Sequence, residues 1–226
     1  MRVFLLKRVR ICFVVLGAAL IGGSALVASS VGLQTPVFTT IYSFAGPNAD
    51  GASPEAPLAI GAGGVLYGTT FGGGPSYMGT VFELTPQTGG TYTETVLYSF
   101  TGKSSGDGYG PKAGLIITKA GVLYGTTEYG GIANSSCPSG CGIVFALTPP
   151  SVPGGAWTKS IVYSFTGRNG DGAFPLGGVV LGPGGVLYGT TSGGGSSGWW
   201  SGGPAGLGDG RPARREPGAP AKVPGG

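Results

Sequence analysis

The heptapeptide GVLYGTT at Gly64–Thr70 returns letter for letter at Gly121–Thr127 and at Gly185–Thr191. Repetition at this interval constrains the fold before any other feature, because repeated segments fold as similar units stacked on one another. Four further landmarks recur around it in fixed order. YSF stands at Tyr42–Phe44, Tyr98–Phe100 and Tyr163–Phe165. An Asp-Gly pair follows at Asp50, Asp107 and Asp171, with a proline three residues beyond each glycine (Pro54, Pro111, Pro175). VFxLTP closes the pattern at Val81–Pro86 and Val144–Pro149, without a third copy.

The spacing locates the rigid and the tolerant parts. From YSF to LYGTT the distance is 24, 25 and 24 residues, whereas from LYGTT to VFxLTP it grows from 15 to 21. That growth falls in the segment holding Cys137 and Cys141, and loop growth is cheap because closure entropy rises slowly with length. One unit is about 56 residues long, and about two and two-thirds units are present.

Each unit reads as four short strands. In Thr93–Phe100, Val96, Tyr98 and Phe100 alternate at the period of a sheet face. The Asp-Gly loop is dense in turn-forming residues. Leu115–Thr118 is an apolar strand that turns into LYGTT through Lys119–Gly121, as Gly61–Gly64 and Gly182–Gly185 do in the other units. In VFxLTP, Phe82 and Leu84 match Phe145 and Leu147 and are expected inside. Glu83 is replaced by Ala146, so that position is expected to face water. The mid-strand glycine of LYGTT (Gly68, Gly125, Gly189) would weaken a strand unless a bulge or a close neighbour requires it. The fold class expected is all-β, in tandem four-stranded units arranged like propeller blades.

The two ends differ from the middle. Residues 1–30 have a basic start (Arg2, Lys7, Arg8, Arg10), an uncharged stretch from Ile11 to Val27, and small residues Ala28, Ser29 and Ser30. This layout is that of a secretory signal peptide cleaved before Val31. An uncleaved membrane anchor is the alternative and would be the chain's one route to a membrane. Residues 31–195 form the repeat region. Residues 196–226, rich in Gly, Pro and Arg, lack strand periodicity and read as a disordered tail, the product of a shifted or truncated reading frame. The formal charge of +4 belongs to these ends, since residues 31–195 carry five basic against seven acidic side chains. A mildly acidic repeat region argues against a nucleic-acid partner.

With no histidine in the chain, a Ser-His-Asp triad and the usual zinc sites are excluded. No serine sits in a G-x-S-x-G elbow, and the glycine-rich loops lack the Lys-Ser/Thr of a phosphate loop. No catalytic residue, cofactor or firm metal ligand is therefore expected. Asp50 and Asp171, each near an asparagine, are weak calcium candidates, because acidic loop oxygens suit that ion; the stronger reading makes them structural Asp-Gly turns. Glu128, which the other units replace with Phe71 and Ser192, is expected as an exposed loop acid. Cys137 and Cys141 close a short loop and are expected as a disulfide in an oxidising compartment. Phe71, Tyr77, Tyr109, Tyr129 and Phe174 are loop aromatics that would stack on sugars if they gathered on one rim, or would cover loop bases.

Together, YSF, DG-x-x-P, LYGTT-x-x-GG and G-x-VF-x-LTP resemble the Gloeobacter/Verrucomicrobia (GloVer-type) tandem repeat of exported bacterial proteins with choice-of-anchor C-termini. The resemblance covers about residues 38–195. It implies a secreted or cell-surface, propeller-like repeat protein without an assigned activity, and supplies no catalytic residues. The expected function is an exported, non-catalytic interaction module, with polysaccharide or a surface protein as partner. The alternative is a fragment of an extracellular carbohydrate-active propeller enzyme.

Overall fold

The computed structural model describes residues 2–7, 37–102 and 106–195. The apolar part of the proposed leader and the tail after residue 195 lie outside the described residues. The described residues are all-β and antiparallel, and none of the sheets they form closes on itself. At the N-terminal end β1 (Arg2–Lys7) pairs with β2 (Val37–Ser43). Four strands follow in a meander: β3 (Ala59–Ile60), β4 (Leu66–Thr70), β5 (Thr80–Pro86) and β6 (Tyr92–Ser99). The next unit adds β7 (Gly108–Tyr109), β8 (Ile116–Ile117), β9 (Leu123–Thr127), β10 (Tyr129–Gly130), β11 (Ile143–Thr148) and β12 (Thr158–Ser164). Of these, β8, β9, β11 and β12 form the second four-stranded sheet, and β7 pairs with β10 in the loop above it. In the third unit β13 (Gly172–Ala173) pairs with β16 (Gly193–Gly194), and β14 (Val180–Leu181) with β15 (Leu187–Tyr188).

Sheet boundaries are offset from the sequence units by one strand. The second and third YSF strands are each the outer strand of the sheet whose VFxLTP strand precedes them, because the short connection after VFxLTP makes those two a hairpin. The phenylalanine of the same YSF then leaves that sheet and packs on the next. Phe44 meets Phe82 edge-on at 5.0 Å between ring centroids, and Phe100 meets Phe145 at 5.3 Å. One motif thereby joins consecutive units. The phenylalanine backbone stays with the sheet it leaves, Phe100 N–H donating to the Gly79 carbonyl and Phe165 N–H to that of Gly142.

The core lies where LYGTT and VFxLTP face each other. Phe82, Leu84, Leu123, Phe145 and Leu147 are fully buried, each such side chain contributing roughly 1.5–3 kcal/mol. The mid-strand glycines answer to a close approach. Gly68 lies opposite Phe82, and Gly125 opposite Phe145. A Cβ added to Gly125 would stand 2.6 Å from Phe145 Cζ and 2.7 Å from Leu115 Cδ2. The ring therefore occupies the volume of the missing side chain. At Gly189, where no VFxLTP strand is present among the described residues, the nearest atom to such a Cβ is 3.2 Å away.

Threonine hydroxyls complete the repeat. Thr69 Oγ1 donates to the Ala113 carbonyl (3.2 Å) and Thr126 Oγ1 to that of Gly177 (3.0 Å), so the first threonine of the pair bonds each unit to the next. The second closes the local turn, with Thr70, Thr127 and Thr191 donating to Gly72, Tyr129 and Gly193. The expected glycine-assisted hairpin before LYGTT is present, with Gly63 and Gly64 at φ +66° and +81°, a region that L side chains enter at a cost.

One expectation of facing fails. Ala146 is buried at 6 % exposure and Glu83 is half-buried. VFxLTP is an inner strand with neighbouring strands on both edges and units stacked on its faces, so its alternate position has no free access to water. Desolvation accordingly raises the Glu83 carboxyl above its ordinary value.

Candidate functional site

The recurring aspartates lie in similar clasps, each closed by the tyrosine of its YSF. Tyr42 Oη donates to Asp50 at 2.5 Å, Tyr98 Oη to Asp107 at 2.8 Å and Tyr163 Oη to Asp171 at 3.0 Å. Backbone N–H groups add to each carboxylate: Ala45 and Gly46 to Asp50, Thr101 and Gly108 to Asp107, Thr166 and Gly172 to Asp171. The clasp ties the Asp-Gly loop to the end of the YSF strand. Burial opposes ionisation of Asp50, but the bonds from Tyr42, Ala45 and Gly46 hold its carboxyl below the ordinary value. Burial and the facing carboxylate push the Tyr163 hydroxyl up to about 12. The calcium candidates Asp50 and Asp171 thus spend their oxygens on donors from the chain itself. Among the described residues no group of three or more Cys, Asp or Glu side chains is placed to hold a metal ion.

Below this shared geometry the units differ in charge. Lys159, four residues before the YSF tyrosine of its strand, reaches back to the Asp107 carboxylate, and both side chains are nearly fully buried. Together with Tyr98, Thr101 and Ile161 they line a shallow hollow of about 350 Å³. The burial of Asp107 is outweighed by Lys159, the Thr101 N–H and Tyr98, and its carboxyl stays below the ordinary value. At the preceding junction the same strand position carries Glu94 rather than a lysine. Its Oε1 is buried without a hydrogen-bond partner, and burial together with the Asp50 charge raises the Glu94 carboxyl to about 7.

The second unit's Asp-Gly loop holds the residues that the repeat does not demand. In β7 and β10, Tyr109 lies opposite Tyr129, their rings stacked at 5.1 Å with 24° between planes. The corresponding pairs are Ala52–Gly72 in the first unit and Ala173–Gly193 in the third. Phe174 extends the stack, meeting Tyr129 edge-on at 5.8 Å. Its backbone is left-handed (φ +55°), as are the equivalent Ser53 and Gly110. A bulky residue in that region is strained by about 1–3 kcal/mol and is held there by its surroundings. Beside the rings, Lys112 forms a 2.7 Å ion pair with Glu128 and lies over the Phe71 ring at 4.9 Å. Glu128 is not an exposed loop acid: it is buried at 8 % exposure, because the Gly110 carbonyl takes its N–H and Lys112 covers its carboxylate. The hydrogen bond to Glu128, with burial second, raises the Tyr129 hydroxyl to about 12.

Four of the five loop aromatics singled out from sequence thus lie along one strip: Phe71, Tyr109, Tyr129 and Phe174. Tyr77 is 59 % exposed and has no ring partner described. Cys137 and Cys141 form the expected disulfide and are buried beside Phe165 and Ala173. Sequence reasoning passed over Lys112 and Lys159. The signal for both was a cation where the preceding unit carries an acid, Glu55 and Glu94.

No curated protein is similar enough to this chain to lend it a function. The repeat itself is recognised: the sequence pattern of the Gloeobacter/Verrucomicrobia repeat matches residues 24–201, and the chain belongs to that family.

Proposed function

We propose that this is an exported, non-catalytic β-repeat protein whose second-unit loops bind an extracellular polysaccharide. The observation that carries the reading is the stacked Tyr109–Tyr129 pair. The fold is satisfied by alanine and glycine at the same paired positions in the neighbouring units, so the repeat does not require the stacked pair, although Tyr109 also rests against the core. Half-buried rings with polar edges suit the apolar faces and hydroxyl rims of sugars. Lys112 beside them, its side chain one-third exposed, supplies a donor. Export is supported by the leader-like N-terminus and the disulfide between Cys137 and Cys141. A propeller-like arc is supported by the way each four-stranded sheet passes the end of its outer strand to the next unit.

The test replaces the pair by what the first unit carries, Tyr109→Ala with Tyr129→Gly. Affinity electrophoresis against a panel of bacterial and plant polysaccharides should show retardation of the parent chain and its loss in the double variant, with unchanged circular dichroism. Equal retardation of both proteins, or of neither, would overturn the reading.

A further inference from the structure

The two complete sheets pair their inner and outer strands in one register. In the first, Val81 lies opposite Tyr98, Phe82 opposite Val96 and Thr80 opposite Ser99, with a bulge between Val81 and Phe82. In the second, Val144 lies opposite Tyr163, Phe145 opposite Ile161 and Ile143 opposite Ser164, with the bulge between Val144 and Phe145. Strand β2 carries the first YSF, and residues 1–36 hold no VFxLTP sequence. Its partner is β1, in the same register: Val3 opposite Tyr42, Phe4 opposite Thr40, Arg2 opposite Ser43, and a bulge between Val3 and Phe4. The sequences correspond as well, since Arg2–Lys7 reads RVFLLK where β5 begins TVFELT.

We infer that the edge of β2 that corresponds to the β5-facing edge of β6 is an acceptor site for an antiparallel strand of pattern Val-Phe-x-Leu, and that Arg2–Lys7 occupies it in the place of a VFxLTP strand. The physical reason lies in the acceptor. A YSF strand presents a row of backbone donors and acceptors that must be paired or hydrated. A bulge, once its position is set, fixes which residue opposes which. A one-residue slip would turn every side chain of the incoming strand to the wrong face. The edge therefore selects register as well as direction. The N-terminal segment then has a role apart from targeting, as a cover for the first unit's open edge. Cleavage after Ser30 would remove the cover and expose the site, so processing of the leader would switch the edge from closed to open.

The experiment follows amide hydrogen exchange in the full chain. Thr39–Ser43 should exchange roughly tenfold or more slowly than an uncovered edge strand. Leu5→Pro, which interrupts β1, should abolish that slowing while leaving β5 and β11 protected. Adding a peptide with the sequence of residues 79–87, GTVFELTPQ, to this variant should restore protection of Thr39–Ser43. A scrambled peptide should not. Fast exchange of these amides in the parent chain, unchanged protection in the variant, or equal rescue by both peptides would each overturn the inference.

Should Leu5→Pro also unprotect β5 and β11, cross-linking decides. On a Cys12→Ser background, Leu5→Cys with Thr39→Cys places two cysteines on directly opposed residues, within the span that a disulfide bridges. This pair should oxidise readily, and the slipped pair Leu5→Cys with Thr40→Cys should not. Equal yields would refute the register and with it the acceptor site.

Discussion

Alanine at Gly125 gives a quantitative test of the packing between LYGTT and VFxLTP. Carbon atoms in ordinary contact lie about 3.5–4.0 Å apart. The new Cβ would stand 2.6 Å and 2.9 Å from Phe145 Cζ and Cε1, and 2.7 Å from Leu115 Cδ2. The ring tip must therefore retreat by about 1 Å, yet Phe145 is fully buried and Phe100 packs against it edge-on at 5.3 Å. Overpacking of this kind costs about 1–3 kcal/mol. Against it stands about 0.4–1 kcal/mol gained when alanine replaces glycine, through the lower entropy of the unfolded chain. Gly125 does not have a left-handed φ, so no backbone strain enters. The net expectation is a loss of about 1–2 kcal/mol, which lowers Tm by about 2–8 °C at this size. Gly189→Ala is the internal control. It has the same motif around it but no ring opposite among the described residues, where its nearest neighbour is Val179 Cγ1 at 3.2 Å. Its Tm should be unchanged or slightly raised. Adding Phe145→Leu to Gly125→Ala should be less harmful than the sum of the two single changes, with a coupling of about 0.5–3 kcal/mol. Equal Tm shifts for Gly125→Ala and Gly189→Ala in thermal unfolding would refute the reasoning.

Two further outcomes follow from the charged junctions. Lys159→Met should destabilise by about 3–5 kcal/mol in urea titrations, because it leaves the buried Asp107 carboxylate without its cation; adding Asp107→Asn should recover a large part. The Glu94 carboxyl, raised to about 7 by burial and the Asp50 charge, binds its proton more tightly folded than unfolded. Its contribution is thus fully present below its unfolded value near 4.5 and is lost as pH rises through about 7. Solvent access limits the effect to about 1 kcal/mol. Glu94→Gln should flatten that part of the stability profile. Glu94→Lys, which places an ammonium where Lys159 stands one unit later, should raise Tm at pH 8; a lower Tm than the parent would show that the two junctions are not equivalent.

The repeat, its strands and its inward-facing residues were legible in the sequence because each is a local property. Phe82, Leu84, Phe145 and Leu147 repeat at strand period, and burial follows from hydrophobicity and alternation alone. The glycine of LYGTT announced a close approach by standing where a strand tolerates it poorly. Which sheet owns YSF was not legible, since a strand's neighbours depend on connection length and on what stacks above it. For the same reason Ala146 and Glu128 lie inside rather than out. Their environment is set by adjacent units and by Lys112, none of which is encoded in their own spacing.

The distinction is sharpest at the two ends of the repeat. Sequence alone determined that three GVLYGTT strands exist and that the third lacks its VFxLTP partner among the described residues. Only the tertiary structure decided that RVFLLK, read locally as the basic start of a leader, meets β2 in the register of VFxLTP. Pairing is a property of two strands, and the acceptor's bulge and hydrogen-bonding edge select a partner that composition cannot reveal.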